Sequence, residues 1–254
     1  MAAQEHPVFK PPINPGIKIW RYMSLAKFVW LIQNEALYFC RSDLMGDPFE
    51  GHYSRLTAVG EDAWVAAQLT DEVFRKMPDA ENIFRRNYKK ILSDVPREKL
   101  ELFISCWHMN EAESLAMWKL YAARDDSICV QSTYQKLATL LPSECFLGTV
   151  KYIDYDTEFI DVNYAFNYIV HKRNSFEHER ELRAVIWPPC VHKPFTSVGD
   201  GGLIVPVTTN DLVERIFINP DAEPILQEIV TTLARTYGVS ASVLKSDVNA
   251  PPDY

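Results

Sequence analysis

Ile17-Lys18-Ile19-Trp20-Arg21-Tyr22, Ser24, residues 25–34 and Ala36-Leu37-Tyr38-Phe39-Cys40-Arg41 form the stretch that decides the fold. The first six residues alternate and predict a strand. Ser24 is placed to cap a helix over residues 25–34, in which Leu25, Phe28, Val29 and Ile32 recur at the spacing of one apolar face. Ala36–Arg41 reads as a second strand. On the N-terminal side, Pro7, Pro11, Pro12 and Pro15 make residues 1–16 an extended arm. On the C-terminal side, a polar turn over residues 42–51 leads to residues 61–100, which predict two or three helices with breaks near Pro78 and Pro96.

Further strands are expected over residues 102–107, 127–131, 145–153, 181–187, 203–207, 215–218 and 241–245. Helices are expected over 113–122, 134–141, 164–172 and 223–237, the last capped by Asp221. Gly199-Asp200-Gly201-Gly202 reads as a hairpin turn. Strands and helices are mixed without strict βαβ alternation, which predicts an α+β fold with a mixed, largely antiparallel sheet. Residues 17–246 form one domain in this reading, with 61–100 as a helical insertion and 247–254 as a tail.

The 254 residues are 47% hydrophobic and 24% charged, an ordinary globular composition. A net charge of −8 argues against a dedicated nucleic-acid binder. Cys40, Cys106, Cys129, Cys145 and Cys190 are odd in number and show no CxxC spacing, which predicts reduced thiols in a cytoplasmic protein. The N-terminus lacks the apolar core of a signal peptide, and no apolar run approaches the ~18 residues of a membrane span.

The densest polar cluster is Phe176-Glu177-His178-Glu179-Arg180-Glu181-Leu182-Arg183. In an extended chain Glu179, Glu181 and Arg183 share one face, and Leu182, Ala184 and Ile186 face a core. Two carboxylates and an arginine at the entry to a buried strand are either paired or functional, and a solvated edge strand with local ion pairs is the plain alternative. Arg21, between Trp20 and Tyr22, could hold a phosphate or carboxylate in a bidentate fork, or simply end a strand. Asp47-Pro48-Phe49-Glu50 reads as a turn anchored to the core by Phe49, and its two carboxylates are too few to specify a metal. Ser105-Cys106-Trp107-His108 is followed by Met117-Trp118-Lys119-Leu120-Tyr121, where Trp118 and Tyr121 share a helical face suited to a planar ring. The six histidines show no paired-ligand spacing, so no metal is expected.

In order, Trp20-Arg21-Tyr22-Met23-Ser24-Leu25, Leu37-Tyr38-Phe39 and Asp47-Pro48-Phe49-Glu50-Gly51 resemble the opening of the bacterial family known as domain of unknown function 2971. Ser105-Cys106-Trp107, Met117-Trp118-x-x-Tyr121, Glu179-x-Glu181-x-Arg183, Ile204–Val207 and Arg215–Ile218 continue the resemblance. The opening also looks like the start of ADP-ribosyltransferase-like domains, which carry an NAD-holding arginine or histidine, a serine- or aromatic-bearing strand and a Q/E-x-E strand. By that likeness Glu181 is the carboxylate that stabilises the ribose cation, and Glu179 orients or deprotonates the acceptor. Arg21 holds the diphosphate of NAD, Ser105, Tyr22, Trp118 and Tyr121 shape the ring pockets, and Arg183 keeps a glutamate ionised.

The resemblance therefore implies an NAD-consuming transferase or glycohydrolase. Its acceptor is a protein, a nucleic acid, a small molecule or water. Two other readings stay open at this point. One is a metal-dependent phosphodiesterase or nuclease using Asp47, Glu50, Lys172, Glu179 and Glu181. The other is a non-catalytic domain that binds a nucleotide or a protein.

Overall fold

A computed structural model of the chain describes residues 3–122, 125–188, 195–199 and 201–250. Cys190 and Asp200 lie outside the described residues, as do Pro189 and residues 251–254. In chain order the elements are β1 (Lys18–Ser24), α1 (Leu25–Asn34), β2 (Ala36–Arg41), α2 (Arg55–Val59), α3 (Glu61–Gln68), α4 (Glu72–Arg75), α5 (Ala80–Glu98), β3 (Phe103–Met109), α6 (Leu115–Tyr121), β4 (Ser127–Thr133), α7 (Tyr134–Leu140), β5 (Phe146–Thr149), β6 (Lys151–Ile153), β7 (His171–Arg173), β8 (Glu181–Ile186), β9 (Thr196–Val198), β10 (Gly202–Pro206), α8 (Thr209–Leu212), β11 (Arg215–Ile218), α9 (Pro224–Thr236) and β12 (Ser242–Lys245). The fold is α+β with a largely antiparallel sheet.

The chain gathers into two compact units. The first holds Met1–Cys40, Phe103–Thr149 and Glu179–Tyr254; the second holds Arg41–Leu102 and Val150–His178.

The first unit is built on a ten-stranded sheet with the path β12-β11-β4-β1-β3-β2-β10-β9, while β8 pairs with β3 and β5. β1 runs against β4 over seven positions, from Lys18–Thr133 to Ser24–Ser127. It meets β3 only at Ile19–Met109 and Trp20–His108, whereas β3 pairs with β8 from Phe103–Ile186 to His108–Glu181. Beyond Trp20, β1 and β3 therefore go with different neighbours. The apolar stripe of α1 supplies Phe28, Leu31 and Ile32 to a core that also contains Ile19, Trp107, Val130, Leu182, Ala184 and Ile186. Ser24 caps that helix as its sequence position predicts, its hydroxyl accepting from Lys27 N. On the opposite face of β1, Trp20 and Tyr22 pack with Met117, Trp118, Cys129 and Phe217.

The N-terminal arm is docked. Gln4 N donates to Cys145 O and Thr149 N to Lys10 O, and Phe9 stacks on Phe146 at 5.3 Å. Gly148 permits this approach, because a Cβ there would lie 2.6 Å from Phe9 Cα.

The second unit packs α3 and α5 around Trp64, Val65, Tyr88 and Val162, beside the parallel pair β6–β7. Residues 61–100 form three helices. The expected break at Pro96 does not occur: α5 ends at Glu98 with Pro96 in its last turn, where few helical bonds remain to be lost.

Other expectations need correction. Residues 164–172 are not a helix but a short 3₁₀ turn, Asn167–Ile169, leading into β7. Tyr168, Ile169 and Val170 are all buried in succession, which one face of an α-helix cannot provide. The strand expected over 145–153 is two, β5 in the first unit and β6 in the second. Asp221 does not cap α9: Glu223 holds the cap position and Pro224 opens the helix.

Candidate active site

Strand β8 places its charges by alternation. Glu181 and Arg183 stand on the face opposite Leu182, Ala184 and Ile186, across from His108 and Cys106 of β3. The plain reading of this segment as a solvated edge is corrected, since β8 lies between β3 and β5 and all six of its residues are buried. A bare charge there is untenable, so the two form a side-on pair, Arg183 Nε donating to Glu181 Oε1 at 2.6 Å and Nη2 to Oε2 at 3.1 Å.

Glu179 does not extend the strand. It ends a 3₁₀ turn over Asn174–Glu179, and Arg180 takes a left-handed backbone, φ 40°, that breaks the alternation. Glu179, Glu181 and Arg183 therefore do not form the single extended row expected of them. Arg180 is held in this uncommon conformation from both ends. Its carbonyl accepts from Met109 N, and its guanidinium donates to Asn110 Oδ1.

The turn brings Glu179 to two side chains. Tyr121 Oη, from the last turn of α6, donates to Glu179 Oε1 at 2.5 Å. His108 Nδ1 lies 2.6 Å from the carbonyl oxygen of Glu179, so that nitrogen carries the proton. Glu179 is 5% exposed and Tyr121 is 51% exposed, so this hydrogen bond links a buried residue to the surface.

His108 continues the site toward β1. Its ring lies 6.3 Å from that of Tyr22, and Tyr22 meets Trp118 edge-on at 5.1 Å. Burial holds the Tyr22 phenol neutral well above the ordinary tyrosine range. Its oxygen accepts from Ser114 N at 2.9 Å, while Trp118 Nε1 donates to Glu113 Oε2. Tyr22, Trp118, Tyr121, Glu179, Glu181 and Arg183 are thus gathered with His108. Sequence reasoning weighed His108 only as a metal ligand; its place opposite Glu181 depends on the register of β3 with β8.

Arg21 and Ser105 do not join this face. Arg21 points to the other side of β1 from Tyr22, its guanidinium 5.6 Å from the Trp107 ring centre and its Nη2 donating to Tyr38 O. Burial lowers its pKa from the usual arginine value. Ser105 and Trp107 share that face of β3, and Ser105 Oγ and Trp107 Nε1 are buried with no hydrogen-bond partner among the described residues. Arg21 stands just past the last β1–β3 pair, where the two strands take different neighbours.

The carboxylates of the nuclease reading are divided among cations and hydroxyls. Asp47 pairs with Arg173 at 2.7 Å, Glu50 lies 3.9 Å from Lys172, and Glu179 and Glu181 are held as described. No group of three or more histidine, cysteine, aspartate or glutamate side chains suited to a metal occurs among the described residues. No helix of the described residues is long and apolar enough to cross a membrane. No protein-family model matches the sequence, and no curated protein matches it.

Proposed function

We propose that the first unit binds NAD and cleaves its nicotinamide–ribose bond, passing ADP-ribose to an acceptor or to water. The observation that carries this reading is the convergence of Glu179, Glu181, His108, Tyr22 and Tyr121 on the β3–β8 face, beside the point where β1, with Arg21, leaves β3. The ordered motifs that resemble domain of unknown function 2971 and ADP-ribosyltransferase-like domains support it.

Cleavage builds positive charge on the ribose, as glycoside hydrolysis does. A fixed carboxylate lowers that barrier by electrostatic attraction. The Arg183 guanidinium engages both oxygens of Glu181 and offsets its charge. The role assigned to Glu181 by sequence therefore passes to Glu179, whose carboxylate is hydrogen-bonded to the half-exposed Tyr121. Glu181 and Arg183 then hold β8 and the turn that aims Glu179. Tyr22, Trp118 and Tyr121 shape the ring pocket on this face, whereas Arg21 and Ser105, on the other side of β1 and β3, take no part in it.

The test is nicotinamide release from NAD by the full chain, followed by chromatography. Glu179→Gln keeps size and hydrogen bonding but removes the charge. It should lower the rate on the order of 10²–10³-fold, as loss of one stabilising group at a developing charge does, with its melting temperature near that of the parent. Undiminished release by a folded Glu179→Gln protein overturns the assignment.

A further inference from the structure

The second unit contains a cavity of about 690 Å³, within the usual range for small-molecule sites. The reading above does not use it. Phe49, Tyr53, Arg55, Tyr155, Arg173 and Asn174 are among its walls.

Its distinguishing feature is Phe49. The sequence assigns this side chain to the core, as the anchor of the Asp47–Glu50 turn. It is instead 48% exposed. Its position is nonetheless fixed. Asp47, almost wholly buried, accepts from Phe49 N at 3.1 Å and from Arg173 Nη2 at 2.7 Å through the same oxygen. Its other oxygen accepts from Arg173 Nε at 3.3 Å. The guanidinium so held lies 4.3 Å from the centre of the Phe49 ring. The Tyr155 ring meets Phe49 edge-on at 6.0 Å, nearly perpendicular, and Tyr155 Oη is tied to His171 O. Phe49 is therefore a preorganised aromatic surface, backed by a cation and left open to the cavity.

The charges around it select among ligands. Arg173 is already the cation on Phe49, so a cationic ligand would meet repulsion there. Arg55 and Asp156 are 3.9 Å apart and more than three-quarters exposed, and Asp154 brings a second carboxylate. Asp47 neutralises Arg173 and Asp156 lies beside Arg55, so neither arginine is left to hold an anion, which favours a ligand without net negative charge. Carboxylates, Asn174 and Ser175 offer acceptors and donors to hydroxyl groups. A flat ring stacks on Phe49, as bases stack on aromatic side chains. The geometry points to a nucleoside site in the second unit, the base resting on Phe49 and the sugar hydroxyls meeting the polar rim.

Isothermal titration of the full chain with adenosine, guanosine, cytidine and uridine in turn tests this. At least one should bind saturably at one site per chain. Phe49→Ala should weaken that binding about tenfold or more, as loss of one stacking partner does. Phe49→Trp should restore it, and Glu179→Gln should leave it unchanged. The half-exposed Phe49 can be replaced without opening a core, and a parent-like melting temperature checks this. Absence of saturable binding by all four at millimolar concentration overturns the proposal, and so does binding that Phe49→Ala leaves intact. Tetramethylammonium displacing a bound nucleoside from the same site would overturn the charge argument.

Discussion

Replacing Arg183 by methionine tests the account of β8 in the most quantitative way. Arg183 is fully buried and Glu181 is 4% exposed, so Arg183→Met takes from a buried carboxylate its guanidinium partner and two contacts of 2.6 and 3.1 Å. Breaking a buried pair by removing one partner costs about 3–5 kcal/mol. At roughly 2.1 cal/mol/K of unfolding entropy per residue, a chain of this length loses about 6–10 °C in melting temperature. Removing both charges, in Glu181→Met with Arg183→Met, leaves no buried ion and should recover at least half of that loss. Urea unfolding of the four proteins of this double-mutant cycle is the assay. A single variant no less stable than the double variant would refute the reasoning, because the pair would then carry no buried charge that needs a partner.

Gly148→Ala should cost about 1–3 kcal/mol, since the added Cβ meets the Phe9 backbone at 2.6–2.7 Å; proteolysis should then remove the N-terminal arm faster, and unchanged cleavage would count against its docking. Burial holds His171 below the ordinary histidine pKa, so the unfolded chain takes up the proton first. That contribution to stability is complete above about pH 6.5 and is lost as the pH falls through the lower folded value. His6 and His52 shift the same way, also chiefly through burial. His171→Gln should therefore flatten, without abolishing, the fall in urea-unfolding free energy between pH 7.5 and 5.5, and an unaltered slope would exclude His171 as a source.

Where local signals agree, the sequence is legible. The β1–α1–β2 run shows alternation, a 3.6-residue stripe and a capping serine, each satisfied by residues within a few positions. β11 falls on Arg215–Ile218 as expected. The failures are long-range. Phe49 is exposed because its partner is Arg173, 124 positions away, and not the apolar core that a phenylalanine ordinarily seeks. Glu179 leaves the strand because Arg180 adopts a left-handed backbone fixed by Met109 and Asn110, and no propensity of arginine announces this. His108 joins the site only through the pairing of β3 with β8. The residue types at the site were readable, but their division between two sheet faces follows from strand register.

The most direct test of the NAD proposal is a thermal melt of the full chain with and without NAD, repeated on Tyr121→Ala, which removes the half-exposed ring beside Glu179. Ligand at about 100 times its dissociation constant stabilises by roughly 2.7 kcal/mol, a rise of several degrees for a chain of this size. That rise is expected in the parent and should be lost in Tyr121→Ala. No rise at millimolar NAD, or a rise that survives the substitution, would contradict it.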